Sequence, residues 1–589
     1  MNNFRVWSRR ELLAGAAAPL LAVEATGLVG YWPLSGDVKD HSGRGNHGIN
    51  HEVDLSSGHF DGCGAYIEVP DSPSLDFKDG EFSASLWVHT KKDVDDVIGD
   101  VLSKYDATVR RGFNLSIQSS AGGYNSQGSD KHVVFGIDNA RTTEWETCGR
   151  PSPTSNYVSN SLTVFDGHLY AGTTDGATFE DWSRVYRYLG AQRWEDCGRV
   201  GNLRTRGVGP MIVHNSSLYV ANWSYDWTRV SKENDQYDDC HVWRYKGGQE
   251  WEDCGQPGNC KRLFGIASYK GKLYILGDDH KCHVWSGDKS WEVVGEFGRY
   301  VHPMIVHDGK LYIAGFSKIQ VGPYLQAAVF SWDGAEWANL GSPLYDKELA
   351  DQIHAFQVYR GKLHTTTWPG GRVCVLDGDR WVDCGRLGDS IEMNGLAVYN
   401  GKLYCGTIPR AEVFRFEGGA RWTRLARFYK PEGWEPVPVG YRPPRGVKVT
   451  NTSANWTRVT SLTVYGGRLF ASIGSCTSAL ADAPADVRGE VHSMRAGECT
   501  SYDKDIGAGW NHITAIRKKG TLELYINGQF QAKSDAFNGK DYALAHSQPL
   551  KIGFGEMDYF SGRIKEVRIY NRALNPGEIA KLARKDWDG

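Results

Sequence analysis

The chain has 589 residues, too many for a single hydrophobic core, so at least two domains are expected. Its formal net charge is −3 and it contains no long basic run, which argues against nucleic acid as a partner. The 70 Gly, 21 Trp and 29 Tyr are typical of many short strands joined by tight turns, with bulky side chains between sheets.

The N-terminus has the features of an export signal. Arg9 and Arg10 precede a short apolar run, and Val23–Ala25 offers small residues for cleavage. This order resembles a bacterial twin-arginine signal, so residues 1–25 are predicted to be removed and the mature protein to be secreted or periplasmic. The apolar run is too short to cross a bilayer and no later apolar segment is long enough either, so no membrane span is predicted.

Residues 26–140 are predicted to form the first half of a β-sandwich. Short motifs rich in Gly and Asp open this segment, and strand-like runs with alternating apolar residues follow. These motifs and runs are Gly30–Asp37, Asp40–Gly43, Asn46–Gly48, Ala65–Pro70 and Phe82–Val88.

Seven copies of one hairpin occur between residues 141 and 495, which is the signature of a repeat architecture. In each copy an apolar strand runs into a tight turn and then into a second strand that usually ends in Tyr. Asp-Gly, Asn-Gly and Gly-Gly turns supply the positive φ that a two-residue hairpin needs. The copies are Val164–Tyr170, Val213–Tyr219, Ser268–Tyr274, Val306–Tyr312, Val358–His364, Val398–Tyr404 and Val464–Phe470.

A Trp-x-x-x-Gly motif marks a fourth strand after most of these hairpins. Trp422 opens a copy without the Gly, and the seventh hairpin has no copy at all. One further copy, Trp145–Gly149, stands alone before the first hairpin. If this strand completes the seventh blade, the ring has no open edge, so a seven-bladed β-propeller closed by a swapped strand is predicted. The repeat resembles Kelch-type and related enzymatic propellers, although it lacks the full Kelch double-glycine signature.

Residues 496–589 supply the other half of the sandwich. Strand-like runs at Trp510–Ile516, Leu522–Gln529 and Gly562–Leu574 match the first half in their alternation. Together the two halves resemble the concanavalin-A-like, laminin-G-type jelly roll that is often attached to secreted bacterial carbohydrate enzymes. The predicted fold is therefore all-β, a seven-bladed β-propeller inserted into a β-sandwich.

The resemblance to the laminin-G-type family also implies a calcium site. Members of that family often hold Ca²⁺ near the N-terminal turn and the final strand, which implies Asp37, Asp40 and Glu566 as oxygen donors for a structural Ca²⁺. Lys565 stands where the family commonly has Asp, and a solvated acidic turn is the alternative interpretation. No cofactor is expected for the chemistry itself.

Cysteines recur at one position of the repeat and are interpreted there as small core residues: Cys148, Cys197, Cys254 and Cys384. An exported protein reaches an oxidising compartment, so disulfides among the other cysteines are compatible with this sequence. Cys254–Cys260 and Cys476–Cys499 are the local candidates.

Propellers bind ligands at the mouth of the central channel, on the loops that enter the innermost strands. Aligning those strands places one residue per blade at the same height: Asn160, Gly209, Phe264, His302, His354, Asn394 and Thr460. Arg206, Arg262 and Arg299 lie just upstream in the chain. Loops after the second strands add Tyr225, Trp227, Asp279, His280, Trp368, Arg372 and Arg410.

This set of His, Arg, Asn and aromatic side chains suits a uronate-containing polysaccharide. His302 and His354 are predicted to act as base and charge-neutralising partner, and Tyr225 as acid. Arg206 or Arg299 would bind the carboxylate, and the further substrate-binding candidates are Asn394, Trp368 and Arg372. The architecture resembles seven-bladed polysaccharide lyases such as ulvan lyases, which implies β-elimination.

Two other functions stay open at this stage. One is a non-catalytic glycan- or protein-binding protein, and the other is a glycoside hydrolase that uses Asp279 or Glu392. With any of these functions, the protein is expected to be a monomer. His302 and His354 have a structural alternative too, hydrogen bonding to a neighbouring blade. His214 and His307 lie in hairpin turns and are predicted to be structural.

Overall fold

The structure is a computed structural model. It describes residues 26–119, 126–155, 157–174, 179–202, 204–224, 239–298, 302–321, 324–344, 350–428, 457–475 and 489–584. The predicted signal at 1–25 and Cys476 of the predicted Cys476–Cys499 pair lie outside these ranges. Within the described ranges, no helix combines the length and the apolar character needed to cross a membrane.

The first part of the chain forms eight strands and a short 3₁₀ turn at Pro73–Leu75. The strands are β1 (Leu28–Trp32), β2 (Ile49–His51), β3 (His59–Asp61), β4 (Tyr66–Val69), β5 (Phe82–Thr90), β6 (Ile98–Asp106), β7 (Arg111–Gln118) and β8 (His132–Thr142).

A closing strand and the first three blades follow. The closing strand is β9 (Glu146–Thr147), and blade 1 consists of β10 (Tyr157–Phe165), β11 (His168–Thr174), β12 (Arg184–Gly190) and β13 (Arg193–Arg199). Blade 2 consists of β14 (Gly207–His214), β15 (Ser217–Trp223), β16 (Val242–Gly247) and β17 (Glu250–Asp253). Blade 3 consists of β18 (Leu263–Tyr269), β19 (Lys272–Gly277), β20 (Lys281–Gly287) and β21 (Ser290–Glu296). A 3₁₀ turn at Phe179–Asp181 precedes β12.

The remaining blades complete the ring. Blade 4 consists of β22 (Met304–His307), β23 (Lys310–Val321), β24 (Tyr324–Trp332) and β25 (Trp337–Asn339). Blade 5 consists of β27 (Phe356–Tyr359), β28 (Lys362–Thr366), β30 (Arg372–Asp377) and β31 (Arg380–Arg386), and it carries a ribbon of β26 (Ala350–Gln352) and β29 (Trp368–Pro369). Blade 6 consists of β32 (Glu392–Tyr399), β33 (Lys402–Ile408), β34 (Glu412–Gly418) and β35 (Arg421–Arg427), and blade 7 of β36 (Thr457–Tyr465), β37 (Arg468–Ser475) and β38 (Val491–Met494).

The chain then returns to the sandwich. Its last elements are β39 (Ala496–Tyr502), β40 (Gly509–Lys518), β41 (Thr521–Ile526), β42 (Gln529–Lys533), a 3₁₀ turn at Gly539–Asp541, β43 (Leu550–Ile552), β44 (Ser561–Tyr570) and helix α1 (Pro576–Leu582). Asn575 caps α1 through a capping box with Glu578, which satisfies the first free amides of the helix.

The two halves of the sandwich interleave in both of its sheets. One sheet has the order β1-β44-β5-β40-β41-β42, and the other has the order β2-β4-β43-β6-β7-β8-β39. The core between the sheets is made from both halves, with Trp32 and Phe113 from the first and Ile513 and Phe560 from the second, all buried. Neither half therefore has a complete core alone. The predicted all-β class, a propeller inserted into a sandwich, is confirmed.

The insertion is possible because the chain enters and leaves the propeller side by side. In the sandwich, β8 pairs with β39 in antiparallel register. In the ring, β9 pairs with β38, and the amide of Cys148 donates to the carbonyl of Val491 at 2.7 Å. The lone tryptophan-bearing segment thus supplies the fourth strand of blade 7. One continuous two-stranded ribbon links the two domains and closes the ring.

The repeated tryptophans bind neighbouring blades together. Each indole Nε1–H donates to the carbonyl of the residue three positions after the Trp of the preceding blade, at 2.8–3.0 Å. The donor and acceptor pairs are Trp194–Cys148, Trp251–Cys197, Trp291–Cys254, Trp337–Val294, Trp381–Leu340 and Trp422–Cys384. The repeated Trp thus makes an inter-blade hydrogen bond to the main chain, whichever residue stands three positions after the Trp of the preceding blade.

Substituting Trp251 by Phe is expected to lower the free energy of unfolding by roughly 1–2 kcal/mol, since it removes this bond and leaves the Cys197 carbonyl without its donor. Trp145→Phe is the matched control, because Trp145 Nε1 is buried and makes no hydrogen bond with the described residues. Urea unfolding followed by far-UV circular dichroism measures both. Equal losses in the two variants would show that the hydrogen bond contributes nothing.

The predicted Cys254–Cys260 disulfide is not present. Both residues are buried, free thiols. The Cys254 thiol contacts the carbonyl of Glu252 at 3.7 Å, whereas the Cys260 thiol bonds the side chain of Asp279. The two sulfurs are engaged with different partners and do not meet. Cys254 has the role expected for the repeated cysteines, a small residue packed in the core of its blade.

The sandwich covers one face of the ring and contacts all seven hairpin turns. Each turn between the first and second strands of a blade donates at least one hydrogen bond to the sandwich or to the segment between β7 and β8. The pairs, donor first, are Gly167–Asp503, Asn215–Ser129, Lys270–Val94, Gly309–Asp95, Arg360–Glu556, Asn400–Ile137 and Gly467–Ser501. Inner strands end at these turns, so they begin at the opposite face of the ring, away from the sandwich.

Candidate active site at the mouth of the ring

Side chains from consecutive blades form a row at the start of the inner strands. The guanidinium of Arg262 lies 4.4 Å from the ring centre of Trp223 and 4.7 Å from that of Phe264. Phe264 packs on His302 at 4.5 Å, and His302 packs on His354 at 4.8 Å, measured between ring centres. The first strand of each blade contacts the first strand of the next, which brings these residues together.

Blades 6 and 7 extend the row with charged groups. Glu392 Oε1 lies 3.6 Å from His354 Nδ1 and 3.7 Å from Arg458 Nη1. Asn394 Nδ2 donates to the same oxygen at 2.9 Å. Asn394 Oδ1 is buried and accepts no hydrogen bond from the described residues. We call the set Trp223, Arg262, Phe264, His302, His354, Glu392 and Arg458 the mouth row.

Both histidines of the mouth row are kept neutral. His302 is 3% exposed and His354 is 5% exposed. Burial holds the pKa of His302 well below its usual value, and electrostatic interactions with the neighbouring His354 and Arg262 lower it further. Burial also lowers the pKa of His354; Glu392 opposes that shift, while Arg458 and Arg262 add to it. At neutral pH both imidazoles therefore carry a lone pair that can accept a proton.

The other predicted binding residues lie around this row. Arg206 is buried, with its guanidinium 5.7 Å from the ring centre of Trp182, and its amide donates to the carbonyl of Trp223. Trp368 is buried in β29, paired with Gln352 of β26.

Arg372 takes part in a pattern that several blades share. Its Nη1 forms an ion pair with Asp383 at 2.9 Å. In blade 1 Arg184 pairs with Asp196 in the same way, and in blade 2 His241 pairs with Asp253. The recurrence of this pair indicates that Arg372 holds two strands of its own blade together.

Three predicted residues lie outside the described part of the chain: Tyr225, Trp227 and Arg299. Arg458 was not predicted as a site residue, although the sequence contains a signal for it. Arg458 lies two positions before Thr460, just as Arg262 lies two positions before Phe264. The same offset from the aligned inner-strand residue would have found both arginines.

Asp279, a carboxylate considered for hydrolysis, belongs to a separate cluster. Its Oδ2 accepts a hydrogen bond from His283 Nε2 at 2.9 Å, and Cys260 completes a group whose ligand atoms all lie within 4.8 Å of one another. These residue types are able to hold a transition metal. The carboxylate is therefore already engaged with a histidine and a thiol.

The carboxylates predicted to bind calcium have protein partners. Asp40 accepts four hydrogen bonds, and Asp37 accepts a backbone amide. Glu566 accepts a hydrogen bond from the hydroxyl of Tyr31 at 2.9 Å and forms an ion pair with Arg568 at 2.6 Å. Among the described residues, the clusters with ligand atoms within 4.8 Å of one another do not include these three. Calcium at this turn stays a prediction.

Comparison with known proteins supports the domain types. The family described as the concanavalin A-like lectin/glucanases superfamily matches residues 446–580, a range that includes β36–β44. The concanavalin-A-like prediction for the sandwich is confirmed by this match. A search of curated proteins finds no match to the sequence.

Several solved structures align with this chain at low sequence identity and low TM-score. YCF48 from Cyanidioschyzon merolae aligns with 12% identity and a TM-score of 0.34, covering 60% of this chain and 98% of its own. BamB from Moraxella catarrhalis aligns with 10% identity and a TM-score of 0.33, covering 69% and 97%. Trypanosoma rangeli sialidase in complex with the inhibitor DANA aligns with 14% identity and a TM-score of 0.28, covering 73% and 94%.

Proposed function

We propose that this protein is an exported carbohydrate-active enzyme, a polysaccharide lyase that cleaves uronate-containing glycans by β-elimination at the mouth row. The observation that carries the proposal is the pair of neutral imidazoles, His302 and His354, with their ring centres 4.8 Å apart. A carboxylate and two guanidinium groups flank this pair, which combines a base with groups that stabilise negative charge. Export would bring the enzyme to extracellular polysaccharides.

In this mechanism His354 acts as the base. Glu392 lies beside its Nδ1 and would orient the ring, as the third member of a catalytic triad orients its histidine. The imidazole takes the proton from C5 of the uronate, the C4–O bond breaks, a C4=C5 double bond forms, and the leaving oxygen takes up a proton from an acid. Arg262 or Arg458 would neutralise the uronate carboxylate while charge develops at C5.

The remaining residues have supporting roles in the proposal. His302 borders the reacting carbon, and Asn394 Oδ1 offers a buried acceptor to a substrate hydroxyl. Phe264 and Trp223 supply ring faces of the kind that sugars stack on. Tyr225 stays the proposed acid. Both histidines are buried in the free protein, so a bound sugar must displace the side chains that cover them.

A polysaccharide panel tests the function directly. The purified protein is incubated with several uronate-containing polysaccharides, ulvan among them, and with neutral ones as controls. Absorbance of the unsaturated uronate, new reducing ends and retention on immobilised glycan are measured. The proposal expects the absorbance to rise with the reducing ends. Reducing ends without the absorbance would indicate hydrolysis, and retention without either product would indicate a binding protein.

The pH profile of kcat/KM is expected to reflect the lowered pKa of His354. A base must be unprotonated, so the acid limb is expected below pH ~6.5, the value of an unperturbed histidine. Glu392→Gln removes a charge that raises this pKa, so the limb is expected to move to still lower pH while kcat falls roughly tenfold or more.

Glu412→Gln is the matched control for that variant. Glu412 is also buried in blade 6 but pairs with Arg424 and Arg427, outside the mouth row. Its substitution is expected to leave the acid limb where it is in the wild type. If Glu392→Gln moved the limb to higher pH, or left it unchanged, His354 would not be the base.

A further inference from the structure

Three ionisable side chains meet where the sandwich covers the ring. Asp96 lies between β5 and β6, Asp558 lies between β43 and β44, and His307 ends β22 of blade 4. Their ligand atoms all lie within 4.8 Å of one another. One comes from each half of the sandwich and one from the propeller, so a group bound among them would join all three segments.

The distances among these side chains suit a metal ion better than hydrogen bonds. His307 Nδ1 lies 3.3 Å from Asp96 Oδ1 and 3.3 Å from Asp558 Oδ2. A charge-assisted N–H···O bond is shorter, about 2.7–2.9 Å, and Nδ1 has one proton to donate. A tetrahedral Zn²⁺ site with metal–ligand bonds of about 2.0–2.1 Å separates its ligand atoms by ~3.3 Å.

One oxygen of the cluster is without a hydrogen-bond donor. Asp558 is fully buried, and its Oδ1 accepts the amide of Tyr559 at 2.8 Å. Asp558 Oδ2 accepts no hydrogen bond from the described residues, although it is directed at His307. A buried carboxylate oxygen left without a donor costs free energy. This oxygen is therefore in the position of a ligand atom.

The charge of the cluster also favours a cation. Among the described residues, no Lys or Arg forms an ion pair with Asp96 or Asp558. Asp100, also buried, adds a third carboxyl group whose Oδ2 accepts the amides of Met557 and Asp558. A divalent ion would balance Asp96 and Asp558 with His307 neutral.

We propose that Asp96, His307 and Asp558 bind a Zn²⁺ ion that fastens the propeller to both halves of the sandwich. Imidazole nitrogen and carboxylate oxygen are ordinary zinc ligands, whereas Ca²⁺ takes oxygen ligands. The three side chains leave a fourth position for a water molecule. This site lies on the face opposite to the mouth row, so it is independent of the proposed lyase activity.

Zinc uptake by the full-length protein tests this site. The protein is treated with a chelator, incubated with equimolar ZnCl₂ and desalted, and its zinc content and thermal unfolding temperature are measured. The wild type is expected to retain one equivalent and to unfold at a higher temperature with zinc than without it. His307→Gln and Asp558→Asn are expected to lose both the retained zinc and the temperature rise.

His214→Gln is the matched control, because His214 ends the inner strand of blade 2 as His307 does in blade 4, but bonds Ser268 and Asn215. It is expected to retain zinc like the wild type. If a variant fails to fold, the absorption spectrum of the Co²⁺-loaded wild type identifies the site. A thiolate-to-cobalt charge-transfer band would place the ion at Cys260 instead. That band, no zinc uptake by the wild type, or full uptake by Asp558→Asn would each overturn the proposal.

Discussion

Replacing His354 with alanine is expected to lower kcat/KM on a uronate polysaccharide by about 10²–10⁴-fold, the usual contribution of a general base. The change removes the imidazole that is proposed to take the C5 proton and that lies 3.6 Å from Glu392. His302→Ala is expected to cost less, roughly 10–100-fold, because His302 borders the reacting carbon in a supporting role and is not the proposed base. Initial rates of unsaturated uronate formation measure both variants.

His364→Gln is the matched control for these substitutions. His364 is another buried histidine of blade 5, placed on β28 close to the hairpin turn, and its Nδ1 contacts the carbonyl of Lys362 at 2.9 Å. It is not part of the mouth row, so its substitution is expected to leave the rate within about threefold of wild type. Activity retained by His354→Ala, with the protein folded, would remove the assignment of the base.

Replacing Cys148 with proline is expected to destabilise the ring strongly, by roughly 3 kcal/mol, at the upper end of single substitutions. The amide of Cys148 donates to Val491 at 2.7 Å, and proline has no N–H to form this bond. The closing strand then detaches from β38, which exposes a strand edge able to pair with other chains. Urea unfolding and light scattering measure the loss of stability and the aggregation.

Cys148→Ala separates the backbone effect from the side-chain effect. It keeps the amide and removes a small buried thiol, so a loss of only about 1 kcal/mol is expected. Limited proteolysis provides a second measurement, since detachment of β9 should make residues 143–150 susceptible in the proline variant only. Equal stability of the two variants would show that the pairing of β9 with β38 does not hold the ring closed.

Much of the fold could be predicted because its signals are local. A two-residue turn such as Asp308-Gly309 needs positive φ at both positions, and both residues have it here. The repeated Trp and Cys recur because every blade packs against its neighbour in the same way. Identical local geometry demands similar residues at each repeat, and that makes a propeller readable from one sequence.

The candidate site was only partly readable. Aligning the inner strands placed His302 and His354 at the same level of the central channel, since the repeat fixes the position of each residue within its blade. Their partners depend on side-chain reach across blades, so the contact of Glu392 with His354 and the position of Arg458 were not predicted. Arg372 was selected by its loop, whereas its ion pair with Asp383 is a contact within the blade.

By itself the sequence determined the class of the protein: seven hairpin units, one displaced fourth strand, and two half-sandwiches that have to combine. Turn chemistry and strand alternation are properties of neighbouring residues, so they are visible in the chain. Only the tertiary structure decided which face of the ring the sandwich covers and which groups meet there. Asp96, His307 and Asp558 lie far apart in sequence. They are buried together because the two domains pack against each other, and no local sequence pattern indicates that packing.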